Sequence, residues 1–196
     1  MEQRQVSITP DALAQLQALI EETRKESGEL FVRRFRDLAE RNGWDWFGLQ
    51  SDQNFEQRAT ALLRGITHSR YGAAKLEKLE KGGFARWIFN ADPFCGDEHK
   101  ELDGIVLPRE HEFWQHYTPP LGWRCSCTIS GVEDGATAGQ LGGDPGKELP
   151  DWWNRIDPET GLRPGIDRPW ESRVSPDLQT LVEALSLPGH GNAPLD

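Results

Sequence analysis

The sequence predicts an α+β protein, with helices first and a small antiparallel sheet after them. Three observations point that way. Apolar residues recur at helical spacing through the first 83 residues, short aromatic and β-branched runs bounded by turn residues follow between 84 and 132, and from 133 onward Gly, Pro and Trp interrupt any long element. The organisation is therefore read as a helical region over 1–83 and a β-rich Cys/His-containing core over 84–132, together one domain. An extended arm over 133–196 carries a short helix and ends in a disordered tail from Leu187.

Thr9-Pro10-Asp11 opens the first helix, with Thr9 as N-cap and Pro10 at the first helical position, and Leu13, Leu16 and Ile20 repeat along one face to about Lys25. Ser27-Gly28 breaks it. Leu30, Phe31, Phe35 and Leu38 then mark a second helix that ends near Asn42-Gly43, where glycine supplies a left-handed cap. The two form a helical hairpin. A third helix, the longest, starts near Asn54, carries Ala59, Leu62, Leu63, Ile66, Tyr71, Leu76 and Leu79, and stops at Gly82-Gly83. Ala85 to Asn90, Gly104 to Pro108 and Arg124 to Ile129 read as three short strands. A short helix over Glu133 to Leu141 and a last one over Asp177 to Leu185, capped by Ser175-Pro176, complete the pattern.

Composition excludes several function classes. The net charge of -10 speaks against a generic duplex-DNA binder, because affinity for phosphate backbones comes mainly from Lys and Arg displacing counterions. Arg64, His68, Arg70 and Lys75 on the third helix are the best local candidates for an acidic or nucleic-acid partner. Arg33, Arg34, Arg36 and Arg41 are interleaved with Glu29, Asp37 and Glu40 and read as a salt-bridged face. No run approaches the roughly 18 apolar residues of a membrane span, and residues 1–10 hold no signal-peptide core, so a cytosolic chain is expected. Eight tryptophans, mostly in turn-flanked settings, suit the anchoring of loops and partner surfaces. Trp114, Trp123, Trp152, Trp153 and Trp170 are the candidate anchors, with about half expected inside their own domain. Pro119-Pro120-Leu121-Gly122-Trp123 reads as a rigid turn presenting Trp123, since it lacks the spaced second proline of a polyproline ligand.

The segment from Phe94 to Val132 holds all three cysteines and three of the five histidines. On a strand, Cys125 and Cys127 would share a face and offer two sulfurs side by side. Cys95 and His99, four residues apart, can reach a common point and complete the Cys3His set that tetrahedral zinc favours, with His111 or His116 as substitutes for Cys95. The C-x-C spacing departs from the usual C-x2-C of zinc sites. The competing account makes the cysteines small buried hydrophobes and His99 a hydrogen-bonded turn residue. A Cys nucleophile with His99 as base and Asp92 or Asp97 as orienter is formally available, but nothing around it has the context of a known nucleophile.

Several motifs in fixed order carry a family resemblance. Asp92-Pro93-Phe94-Cys95-Gly96-Asp97-Glu98-His99, the Leu102-Asp103-Gly104 turn, Phe113-Trp114, and Pro119-Pro120-Leu121-Gly122-Trp123-Arg124-Cys125-Ser126-Cys127 together resemble the phage Mu F-like minor head protein family, also called the phage head morphogenesis domain. Leu63 to Ala74 is similar to that family's long helix, Phe31 to Trp44 to its helix ending in Gly-Trp, and Gly165 to Trp170 to a common tail element, so Leu30 to Pro176 is covered. The resemblance implies a structural virion protein, not an enzyme. It would be made in the host cytoplasm, reside in the head interior or portal region, and bind portal or major capsid subunits. It also implies that His99, Cys125 and Cys127 act as a unit; relatives often carry a longer N-terminal region, so portal-contacting elements are expected to be missing here or encoded elsewhere. Domains of this family also occur joined to toxin modules, which is the rival reading: an enzyme or effector with a catalytic zinc.

Overall fold

The computed structural model describes residues 8–23, 26–44, 51–173 and 175–186. The expected α+β class is what it shows: seven helices and a three-stranded antiparallel sheet among the described residues. The chain divides into two packed units, one of residues 1–66 and 177–196, the other of residues 67–176. This division differs from the boundaries drawn on the sequence. The long helix contributes to both units, and the Gly/Pro/Trp-rich arm up to residue 176 belongs to the unit that contains the sheet.

In the first unit, α1 spans Pro10–Thr23 and α2 spans Gly28–Arg41. Thr9 caps α1 as expected, the Ala12 amide donating to its Oγ1 (3.3 Å), and Ser27, read only as a helix break, caps α2 by accepting from the Leu30 amide at Oγ (3.3 Å). Gly43 closes α2 at φ 65°. α3 spans Asp52–Gly82, 31 residues, and its first half packs in this unit. Phe35 is the hub, stacked near Phe31 (5.4 Å between centroids) and tilted against Phe55 (5.5 Å) and Trp44 (6.0 Å). The arginines of α2 form the salt-bridged face: Arg36 pairs with Asp52 (3.1 Å) and lies over the Phe55 ring, and Arg34 reaches Glu22 (3.4 Å). The last helix, α7, spans Leu178–Ser186. Its first turn is capped by Asp177, whose Oδ1 accepts from the Thr180 amide (2.8 Å), rather than by the expected Ser175. The expected disordered tail lies outside the described residues.

The second unit is built on the sheet. β1 (Arg86–Asn90) lies between β2 (Val106–Pro108) and β3 (Thr128–Val132), antiparallel to both, with Ile88 opposite Val106 and Ser130. Period-2 alternation gives each face its own cover. Ile88, Val106 and Val132 cluster with Ala138 of α6 (Gly135–Gln140), whose N-cap Asp134 accepts from the Thr137 amide. On the other face Trp87 meets Trp114 edge-on (5.6 Å) and Phe89 meets Phe113 (6.3 Å), both from the one-turn helix α5 (Phe113–His116). Gly131, opposite Trp87, is where Phe84 and Leu79 press onto β3 so closely that a Cβ would collide with the Phe84 ring.

The strand expected over Arg124 to Ile129 is shifted. β3 begins at Thr128, and Cys125 and Cys127 lie in the irregular segment before it. The backbone there finds other partners: the Trp123 amide donates to Asp167 Oδ2 (2.9 Å), the Cys125 amide turns back to the Gly122 carbonyl (3.2 Å), and His68 Nδ1 donates to the Cys125 carbonyl (3.0 Å). A segment whose polar groups are already satisfied gains little from a ladder.

Replacing Phe35 by Ala is expected to destabilise the protein by about 3–5 kcal/mol, since it empties a fully buried ring site. Leu141→Ala, at a half-exposed position, should change stability by less than about 0.5 kcal/mol. Urea titration monitored by tryptophan fluorescence and circular dichroism reads both.

Candidate metal centre

The Cys/His site sits at the open end of the β1–β3 ladder. Asn90 pairs with Thr128, so the residue before Thr128, Cys127, emerges beside the chain leaving β1. The Asp92 amide donates to Cys127 Sγ (3.4 Å), a contact that suits a thiolate. Asp92 then folds the chain into a turn: its side chain accepts from the Phe94 amide (2.8 Å) and its carbonyl from the Cys95 amide (3.1 Å). That turn delivers Cys95 inward and leads into α4 (Asp97–Leu102), which brings His99 to the same point. The base of the loop is closed where Asp103 Oδ1 accepts from the Ala91 amide (2.8 Å).

Cys95, His99 and Cys127 are all buried, and their ligand atoms lie within 4.8 Å of one another. His99 Nδ1 is 3.6 Å from Cys127 Sγ. A tetrahedral ion with bonds of about 2.3 Å to sulfur and about 2.0–2.1 Å to nitrogen would separate those two atoms by about 3.6 Å. The three residues therefore fit a soft divalent metal. The other ring nitrogen is committed, because His99 Nε2 lies 2.6 Å from the Gly165 carbonyl, which can only accept. The proton must be on Nε2, and the Nδ1 lone pair faces the sulfurs. Metal-binding histidines commonly have this arrangement, with the far N–H held by a carbonyl.

Gly165 is the residue that spacing alone could not reveal, since it lies 66 positions from His99. Its φ is +74°, and a Cβ there would stand 3.1 Å from both Glu98 Cβ and His99 Cδ2. Only glycine lets this loop close over the imidazole. The loop is itself tied down: the Asp167 amide donates to the Leu121 carbonyl (2.8 Å), and the Trp170 indole donates to Ser69 Oγ (3.1 Å) while meeting Trp123 edge-on (4.9 Å). A phenol on the same side, Tyr117, reaches the Trp153 and Pro164 carbonyls (3.0 and 3.2 Å).

Cys125 stands beside the trio rather than in it. Its thiol hydrogen-bonds with that of Cys127, which makes it the nearest further sulfur. A cleft of about 120 Å³ between the second half of α3 and the Pro119–Pro120 turn reaches these cysteines, lined by His68, Tyr71, Gly72, Pro120 and Ser126 as well. The other two histidines proposed as substitutes are used elsewhere: His111 Nδ1 accepts from the Phe113 amide (3.1 Å) and His116 is in the turn of α5.

The titration of the metal-free cluster follows from burial and shared protons. Burial and the neighbouring Cys127 push the Cys95 thiol up to about 12. Cys127 is raised by its hydrogen bond with Cys125 and by burial, and the same bond lowers Cys125. For His99, burial acts downward, but the bonds to Cys127 and the Gly165 carbonyl outweigh it and leave the imidazole above its ordinary value. Without a metal, the Cys95 and Cys127 sulfurs are protonated at neutral pH.

Of the candidate anchors, Trp114, Trp123 and Trp170 are packed inside this unit at 6% exposure or less. Trp152 and Trp153 are half-buried; the Trp152 indole donates to Glu101 Oε2 (2.7 Å), and Trp153 packs on His111 and Phe113. Among the described residues Phe94, at 95%, and Tyr71, at 58%, are exposed aromatics that were not among the candidate anchors. Comparison with protein-family models, curated proteins and solved structures finds no match to this chain.

Gly165→Ala is expected to destabilise the protein by about 1–3 kcal/mol, from the left-handed backbone and the crowded imidazole together. Gly139→Ala, in α6 with open space around it, should be neutral or stabilise by about 0.5–1 kcal/mol. Thermal and urea unfolding of the two variants separate the predictions.

Proposed function

We propose that this chain is a structural protein of a phage head, a minor head component of the Mu F-like kind, whose central loop is clipped by a zinc ion. Cys95, His99 and Cys127 hold the ion, with Cys125 the nearest candidate for the fourth position. The supporting observation is convergence. The motif segments of the family resemblance between Asp92 and Trp170 pack into one unit, with the Cys/His cluster where they meet, while Phe31 to Trp44 belongs to the other unit. A zinc ion there supplies a cross-link between the turn after β1, α4 and the segment before β3 that the small sheet lacks by itself. On this reading the partners are the portal or the major capsid subunits and the place of action is the virion. Packaged DNA is disfavoured as a partner by the net charge of -10.

The second reading is a catalytic zinc with an open position. Three mutually close ligands and a cleft that reaches Cys125 and Cys127 favour it. Removing the metal distinguishes the two, because a chain clipped by zinc loses ordered structure when the site is empty, whereas a chain with a catalytic zinc stays folded and loses only activity.

Metal analysis of the purified protein should find about one zinc per chain. Cys127→Ser and His99→Ala should lose it and, with free zinc about a thousandfold above Kd for the intact protein, fall about 4 kcal/mol in stability relative to it. A metal-free chain that unfolds by circular dichroism would support the clip, a metal-free chain that keeps its native spectrum would favour the catalytic reading, and absence of metal from the intact protein would contradict both. Because the raised thiols must lose their protons to bind, affinity should rise with pH, about tenfold per unit for each thiol proton displaced. Calorimetric titration with zinc in buffers of differing ionisation enthalpy would count those protons. Co-purification with portal and capsid subunits tests the head assignment directly.

A further inference from the structure

We propose that Phe94 is a docking anchor, presented on an acidic turn to an apolar pocket rimmed by Lys and Arg on a partner protein. At 95% exposure it far exceeds the other exposed large hydrophobics, Tyr71 and Ile156 at 58% and Leu141 at 52%. Its backbone is held all the same. Pro93 precedes it, its own amide is bonded to Asp92 Oδ1, and the next residue, Cys95, is buried against the Cys/His cluster. A side chain displayed from a restrained turn loses little further backbone freedom on binding, which is the condition for an efficient anchor. Large aromatics surrounded by polar residues are the usual centres of binding energy at protein interfaces.

The surroundings select the partner. Residues 92–103 contain five acidic residues and one lysine, and that lysine is already paired with Asp97 (3.1 Å). Glu98 and Asp97 are exposed on the first turn of α4, next in sequence to the anchor. Such a rim repels nucleic-acid phosphates and anionic lipid. It also disfavours a second copy of this chain, because like charges would face one another and each copy carries -10. A basic rim on a different protein is the complement. This inference rests on the head-protein reading for its choice of probe: the portal and major capsid subunits encoded in the same genome.

The experiment measures binding of the full chain to each purified subunit by biolayer interferometry across salt, with Phe94→Ala, and Ile156→Ala as control. Wild type and Ile156→Ala should bind one subunit alike. Phe94→Ala should weaken that binding about thirtyfold, the loss expected of an interface hot spot. It should leave the circular dichroism and the thermal midpoint unchanged, since the ring is exposed to solvent. Binding should also weaken from about 0.05 M to about 0.3 M salt as the charges are screened. Equal binding by wild type and Phe94→Ala would overturn the anchor and leave the head-protein reading standing. Failure of wild type to bind either subunit would overturn both. Binding indifferent to salt would overturn the basic rim, and a wild-type dimer in sedimentation analysis that Phe94→Ala dissociates would replace the foreign partner with a second copy.

Discussion

The imidazole of His99 is the contact on which the sheet-containing unit of this protein depends. One ring nitrogen gives its proton to the Gly165 carbonyl and the other faces Cys127 Sγ, so a single side chain joins α4, the loop before Trp170 and the segment entering β3. Neither bond is strong alone, since a hydrogen bond contributes about 0.5–1.5 kcal/mol net. Their importance lies in what they order. With the sheet only three strands wide and one strand three residues long, irregular backbone makes up much of the second unit, and irregular backbone needs fixed points.

Several close approaches exist to let that contact form. Gly165 adopts a conformation other residues resist, Gly122 leaves room for the Asp167 carboxylate, and Gly72 lets the second half of α3 press against the Pro119–Pro120 turn, where a Cβ would stand 2.5 Å from Pro120 Cδ. Trp123 and Trp170 then seal the junction edge-to-face, with the Trp170 indole nitrogen donating to Ser69 Oγ and the Trp123 indole nitrogen buried without a hydrogen-bond partner. Of the tryptophans that looked like interface material, Trp123 and Trp170 are thus the mortar of this junction, and Trp114 packs on Trp87 of the sheet. Among the described residues of this unit, the aromatics that reach solvent include the half-buried Trp152–Trp153 pair, Tyr71 and the fully displayed Phe94.

The helices and the α+β class were readable in the sequence because each rests on local rules: Thr9 as a cap, Gly43 and Gly83 as stops, apolar residues three and four apart. The concentration of Cys and His was readable too. What local rules could not show was which sulfurs meet. Cys125 and Cys127 read as strand neighbours, yet the Asp167 carboxylate and His68 satisfy the backbone around them, so β3 starts later, and of the four expected ligands Cys95, His99 and Cys127 meet while Cys125 stands beside them. Gly165 and Asp167 come from far along the chain, and no periodicity marks them. Phe94 was hidden for the opposite reason, because an apolar letter beside a cysteine reads as core.

The account turns on the protonation and ligation of one ring. Histidine side-chain ¹⁵N NMR of the full chain, without metal and then with one equivalent of zinc, observes it directly. The account predicts that metal-free His99 is the Nε2–H tautomer as long as it is neutral, and that zinc shifts its Nδ1 resonance while Nε2 keeps its proton. An Nδ1–H tautomer, or a His99 spectrum indifferent to zinc, would contradict it.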